Sequence, residues 1–196
     1  MLREYFNSRA DIWDEHIAEK DTNKLTRMAE RLELKPDSVI LDVGTGTGVF
    51  LPYLLKNIGE NGKIVALDLA EEMLAKARAK YPDEHIEFLH ADTMDIPIYE
   101  EMFDSVICYS SFPHFRDKSK ALTEIKRVMK PNGRMCICHT SSRDHINGIH
   151  STLPGMENDL LPAPDDMRML LSDAGFTVIK IEEDSESYLA VGEKPV

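Results

Sequence analysis

SVILDVGTGTG, residues 38–48, is the stretch on which the reading of the chain turns. Ser38 to Val43 is a short, nearly unbroken apolar run, as expected of a strand buried on both faces. It ends on the acid Asp42 and Val43 and passes into alternating glycines, Gly44, Gly46 and Gly48, after which a helix is expected from about Val49 to Asn57. In an open parallel sheet, ligands bind beyond the carboxyl ends of the strands, near the point where strand order reverses. Glycines in such a loop let a ligand lie against the backbone, and the helix start offers unpaired N–H groups to an anionic part of it. A tight turn that uses glycine for its geometry alone is the competing explanation.

KIVAL at 63–67 is a second strand that ends on Asp68, and Glu71 to Lys80 is a helix rich in Ala, Glu, Lys and Met. Ile86 to His90 and Phe103 to Tyr109 read as the third and fourth strands, and Ser119 to Met129 as an amphipathic helix. Pro131-Asn132-Gly133 has turn chemistry, and Arg134 to His139 follows as a fifth strand. Pro164 suits the first turn of a helix running to Ala174, with Gly175 as its left-handed cap. Phe176 to Glu182 and Ser187 to Val191 are joined by four acidic or polar residues, too few for a parallel crossover, so this last pair is antiparallel. Upstream, Thr22 or Asn23 is the expected cap of a helix carrying Leu25, Met28, Ala29 and Leu32. The alternation predicts an α/β fold: a doubly wound, mostly parallel sheet with right-handed crossovers and an antiparallel C-terminal hairpin.

The chain has 196 residues, with 23 Lys and Arg against 35 Asp and Glu, a formal charge of −12. That balance argues against phosphate neutralisation as its main task, and so against a nucleic-acid partner. Ten acids against three bases fall after residue 150, around the hairpin, where solubility is their expected role. No apolar run approaches the roughly 20 residues that cross a bilayer, and the first residues lack a secretory apolar stretch, so a cytoplasmic location is expected. The cysteines, Cys108, Cys136 and Cys138, all lie in strand-like segments, where buried reduced thiols are the ordinary outcome.

The loop's spacing discriminates between ligands. A dinucleotide fingerprint is GxGxxG/A, but here the third glycine comes one place early, at Gly48. Asp42 can sit beside an ammonium group, which a pyrophosphate cofactor lacks. Asp68, at the tip of the second strand, can accept bonds from two ribose hydroxyls. Asp92, after the third strand, is placed to meet an adenine amino group.

These residues resemble the class I S-adenosylmethionine-dependent methyltransferases, small-molecule and quinone-methyltransferase branch. The likeness is carried by VILDVGTGTG, IVALDLAEEML, the Ala91-Asp92 step, FDSVICYSSFPHF and IKRVMKPNGRMCI, in order, from about Val39 to Val191. It implies a seven-stranded Rossmann-like sheet and S-adenosylmethionine as cofactor, with S-adenosylhomocysteine as product. It also implies that Asp42, Gly44, Thr45, Gly46 and Gly48 line the amino-acid moiety and that Asp68 binds the ribose. Asp92 with Thr93 would flank the adenine, Leu69 and Met94 would pack on it, and Tyr109 and Ser110 would lie near the methyl donor. Tyr5-Phe6-Asn7 and Trp13-Asp14 look like the segment that folds over the cofactor in such relatives; the alternative is that Tyr5, Phe6 and Trp13 only dock a helix on the domain. The expected organisation is a single domain: 1–35 an N-terminal helical lid, 36–139 the cofactor core, 140–163 an acceptor-side insertion, and 164–196 the last helix and hairpin.

Methyl transfer is a displacement in which orientation and exclusion of water are the main demands, and a base is needed only when the nucleophile arrives protonated. The candidate bases are His114, just beyond the fourth strand, and His139, at the end of the fifth. His145 and His150 lie in a short helix opened by Ser141 or Ser142, five positions apart and so on different faces. No metal is expected, although His114, His139, His145 and His150 are the set from which one would be built. Met156, Leu160 and Leu161 are candidates for an apolar acceptor pocket. The function expected is methyl transfer to a small-molecule acceptor; the alternative is a non-catalytic sensor or scaffold that binds S-adenosylmethionine or S-adenosylhomocysteine.

Overall fold

The structure is a computed structural model that describes residues 2–16 and 18–196. Seven strands form one sheet: β1 Val39–Val43, β2 Lys63–Asp68, β3 Ile86–His90, β4 Phe103–Tyr109, β5 Met129–His139, β6 Thr177–Glu183 and β7 Tyr188–Glu193. Their order is β3-β2-β1-β4-β5-β7-β6. The first five run parallel, and β7 inserts antiparallel to both β5 and β6. Strand order therefore reverses between β1 and β4, with the glycine loop at the reversal.

Alternation along each strand divides the core between two faces. Leu41, Val43, Val65, Leu67, Val106 and Cys108 face α6 (Lys118–Val128) and α8 (Pro164–Asp173). Ile40, Ile64, Ala66, Ile107, Cys136 and Cys138 face α3 (Thr22–Arg31) and α4 (Leu51–Ile58). Leu25 and Met28 of α3 are each 2% exposed, burial that contributes about 1.5–3 kcal/mol per side chain. All three thiols are free and buried, and desolvation raises the Cys136 thiol to about 12. They are packing residues, as expected.

Three local features differ from the sequence reading. The cap of α3 is Asp21, whose carboxylate accepts from the backbone N–H groups of Asn23 and Lys24 at 2.9 and 3.2 Å. Pro131-Asn132-Gly133 does not precede a strand but lies inside β5, where Asn132 takes φ 62° and the pairing with β4 shifts register between Phe103 and Ser105. Its turn chemistry makes a bulge because Asn132 N–H and Gly133 C=O still pair with Lys194, at 2.8 and 2.9 Å. Finally, α4 begins at Leu51 because the loop continues through Phe50, with Pro52 in its first turn.

Before α3, two short helices, α1 (Leu2–Asn7) and α2 (Trp13–His16), cross the carboxyl edge of the sheet. They are held to α5 (Glu71–Lys80) by polar contacts. Arg3 pairs with Glu71, Asn7 donates to Glu71 at 2.8 Å, and Lys76 meets Asp11 at 2.6 Å. These partners, Arg3 first, hold the Glu71 carboxyl down at about 2.

Candidate functional site

The loop after β1 is tied to its neighbour strand, since Gly44 N–H and Thr45 N–H both donate to Leu67 O, at 2.8 and 3.0 Å. Gly44 has φ 72°, and a Cβ there would run into the side chain of Ser111. The close approach is held by Ser111 Oγ, which donates to Val43 O at 2.6 Å. Glycine at 44 thus serves geometry, whereas a Cβ on Gly46 would meet nothing within 4 Å and that position is open to a ligand.

Two buried acids shape this end of the sheet. Asp68, 8% exposed, accepts from Gly46 N–H through Oδ2 and from Ala70 N–H through Oδ1, both at 2.8 Å. Burial raises its carboxyl and these amides oppose the rise. Asp42, 2% exposed, makes no ion pair among the described residues. Burial pushes its carboxyl up to about 7, opposed by the Thr45 hydroxyl and reinforced by Asp68.

Of the cofactor contacts expected, Trp13, Gly44, Thr45, Gly46, Asp68, Leu69, Asp92, Thr93, Met94, Tyr109 and Ser110 line a single cleft of about 990 Å³, open mouth included. Asp42 does not line it, its carboxyl being buried. Gly48 does not either: a Cβ there would sit 2.9 Å from Leu51 and 3.0 Å from Tyr81, so its role is packing. Tyr5 faces a different cavity. Asp92 spends Oδ1 on Met94 N–H at 2.9 Å and approaches Arg116 through Oδ2 at 3.8 Å.

A second cavity opens beside the first, and the two share Phe6, Trp13, Val49, Tyr109, Ser110 and His114. Tyr109 borders both: its ring stacks on Phe50 at 4.3 Å and its hydroxyl meets Thr140 Oγ1 at 2.8 Å, while burial keeps it protonated. Ser110 holds φ 53° at the junction, an uncommon backbone for a non-glycine residue and of the kind that gathers at functional sites.

All four candidate histidines border this second cavity, His145 from an exposed position on α7 (Arg143–His150). His114 Nδ1 lies 2.8 Å from Asp159 Oδ2, and its ring is 4.7 Å from that of His150 and 5.2 Å from Phe6. His139 is 3% exposed and its Nε2 has no hydrogen-bond partner among the described residues. Burial, followed by His114 and His150, lowers His139 to about 3, so it is neutral at physiological pH and a weaker proton acceptor than an ordinary imidazole. Among the described residues, no three His, Cys, Asp or Glu side chains are grouped to hold a metal. Of the apolar candidates, Met156 lines the cavity, Leu161 is buried in the core and Leu160 is exposed.

The N-terminal segment both docks and covers. Leu2, Phe6 and Trp13 line the first cleft, and Asp14 ties α2 to the glycine loop by accepting from Thr47 Oγ1 at 2.6 Å, while Lys80 holds its other oxygen at 2.6 Å. Sequence reading missed Ser111, the Thr47 anchor and Asp159. Neither spacing nor composition marks Asp159, which comes 45 residues after the histidine it holds.

Comparison with known proteins supplies the relationship. A family profile described as a methyltransferase domain matches residues 41–137, from inside β1 to within β5. The chain belongs to the class I S-adenosylmethionine-dependent methyltransferases. Glycine/sarcosine/dimethylglycine N-methyltransferase of Actinopolyspora halophila is 30% identical over 90% of this chain and 32% of its own length. Demethylmenaquinone methyltransferase of Bacillus cereus is 34% identical over 56% of this chain and 48% of its own. The chain thus spans a third to about half of these two curated relatives. A methyltransferase of Aquifex aeolicus, at 24% identity, shares the fold of this class I methyltransferase chain with a TM-score of 0.74 over 97% of both chains.

Proposed function

We propose that this domain binds S-adenosylmethionine in the first cleft and transfers its methyl group to a small-molecule acceptor held in the second. The observation that carries the reading is the pair of adjoining cavities, one walled by the glycine loop, Asp68 and Asp92, the other by histidines, with Tyr109, Ser110 and His114 common to both. The residues fit the cofactor. Asp42 is a buried acid without a counter-cation among the described residues, and the ligand's ammonium would supply positive charge close by. Asp68 retains lone pairs facing the cleft for ribose hydroxyls.

Bound S-adenosylmethionine supplies an electrophilic methyl on a sulfonium whose departure needs no proton. The chain's own residues then orient and dry the reacting atoms. Phe6 and Trp13, with ring centroids 5.5 Å apart, close the cleft from the N-terminal side. The relatives named above act on small molecules by their names, which supports a small acceptor here. The sensor reading expects no cavity beyond Tyr109 and His114, and the histidine-lined cavity favours catalysis over it.

Isothermal titration tests the proposal: S-adenosylmethionine and S-adenosylhomocysteine should both bind, and binding of neither overturns it. The cover is tested by Asp14→Ala, which removes the Thr47 and Lys80 contacts. Charge-assisted bonds of this kind contribute about 1.5–3 kcal/mol where buried and less where half exposed as here. The expected outcome is faster amide exchange across residues 2–16 and cofactor affinity lowered several-fold, with little change in the melting temperature of the sheet.

A further inference from the structure

The second cavity's chemistry narrows the acceptor, a deepening that rests on the methyl-transfer reading above. Asp159, in the loop between α7 and α8, accepts twice: its Oδ2 from His114 Nδ1 at 2.8 Å and its backbone oxygen from His150 Nδ1 at 2.5 Å. A carboxylate on Nδ1 fixes the neutral tautomer whose lone pair is on Nε2. His114 Nε2 makes no hydrogen bond among the described residues, and its ring borders both cavities. Lys118, the nearby cation, is turned away, with its Nζ donating to Pro113 O and Phe115 O at 2.9 and 3.2 Å.

The described lining of this cavity contains no Lys or Arg, and Glu19 is its one formal charge. His139 and His150 are both biased by burial toward the neutral form. The remaining walls are mostly aromatic and aliphatic, among them Phe6, Trp13, Ile146 and Met156, with the hydroxyls of Ser110, Thr140 and Ser141 as uncharged polar points. A carboxylate or phosphate brought here would lose water without gaining a permanent cation. An apolar molecule with a polar edge suits the walls, and that edge can also satisfy the orphaned His139 Nε2. An uncharged amine attacks through its own lone pair and has no use for a built base, whereas a hydroxyl must shed its proton to be a good nucleophile.

We propose that the acceptor is an uncharged, largely apolar molecule bearing an ionisable hydroxyl, a phenol or enol, methylated on that oxygen, with His114 Nε2 as base and Asp159 as its positioning residue. In the step, the hydroxyl proton passes to His114 Nε2, the oxygen lone pair forms a bond to the methyl carbon, and the carbon–sulfur pair stays on sulfur as a neutral thioether. The imidazolium so formed is paired with the Asp159 carboxylate.

The test uses the whole chain with radiolabelled S-adenosylmethionine and four probes: p-cresol, catechol, p-hydroxybenzoate and benzylamine. Methyl ethers of p-cresol or catechol should form, with kcat/KM above that for p-hydroxybenzoate by about tenfold or more, the discrimination expected when a charge is buried without a partner. Asp159→Asn should lower kcat by about tenfold or more while leaving KM and S-adenosylhomocysteine affinity within about twofold, as loss of an orienting partner does. It should also move the acid limb of the kcat profile to lower pH, because the imidazolium loses its counter-charge among neutral His139 and His150 and the diverted Lys118. His114→Gln should abolish that limb and cost about a hundredfold or more in kcat. Preference for p-hydroxybenzoate or benzylamine, no ether from either phenol, or an Asp159→Asn enzyme with unchanged kcat and acid limb would each overturn the proposal. Retained S-adenosylhomocysteine binding shows in every case that the variant is folded. Failure of the wild-type chain to bind it defeats the methyl-transfer reading instead.

Discussion

Replacing Asp68 by Ala is expected to raise the dissociation constant for S-adenosylhomocysteine by more than tenfold. Two effects add. The variant loses charge-assisted bonds to the ribose, each worth roughly 1.5–3 kcal/mol, and about 1.4 kcal/mol already corresponds to tenfold. It also releases Gly46 N–H and Ala70 N–H, both held by the carboxylate at 2.8 Å, so the glycine loop loses the strut that sets its distance from β2. Asp68→Asn separates the two, because an amide oxygen can still accept from one of these N–H groups while offering the ribose a weaker, neutral partner. Titration calorimetry should find the Asn variant intermediate. An Ala variant that binds within threefold of wild type would mean that Asp68 shapes the loop without meeting the ribose.

How far this site is legible in the sequence depends on whether a residue's role is local. Asp68, Gly44 and Gly46 are legible because strand, acid, loop and helix follow one another within about 30 residues, and backbone geometry there obeys rules of short range. The antiparallel end is legible for the same reason, since four residues between strands leave only a hairpin. The bulge in β5 is not: Pro131-Asn132-Gly133 has the chemistry of a turn, and only the pairing of Asn132 and Gly133 with Lys194, some 60 positions on, keeps it in the strand. Asp159 is illegible in the same way. A carboxylate in an acidic, proline-punctuated loop reads as solvation until folding sets it against His114. His139 shows a different gap, for its place at a strand end signals function, while burial to 3% exposure, which no spacing reveals, weakens its basicity.

Asp42→Asn should stabilise the cofactor-free protein and weaken cofactor binding at once, and the size of the first effect should depend on pH. The carboxyl is held at about 7 against an ordinary value of 3.8, chiefly by burial. Below pH 4 the group is protonated whether the chain is folded or not, and it costs nothing. Between about 4 and 7 the unfolded chain ionises it while the folded chain does not, so folding stability falls as pH rises. Above about 7 both states are ionised and the deficit is constant, on the order of 2–4 kcal/mol from a difference of roughly three pKa units. Urea melts should therefore show wild type and Asp42→Asn separated by only about 1 kcal/mol at pH 4.5 and by a few kcal/mol at pH 8, with the variant the more stable. The same acid makes binding proton-linked. A cationic ammonium nearby favours the carboxylate, so the wild-type chain at pH 6 should release up to one proton on taking up S-adenosylhomocysteine, seen as a calorimetric heat that varies with buffer ionisation enthalpy. Affinity should climb from pH 5.5 to 7.5 and then level off, and in Asp42→Asn both the proton release and the climb should vanish. A stability gap that does not change with pH would show that Asp42 is ionised throughout, its charge met by the loop itself, and would remove the reason for assigning it to the ammonium.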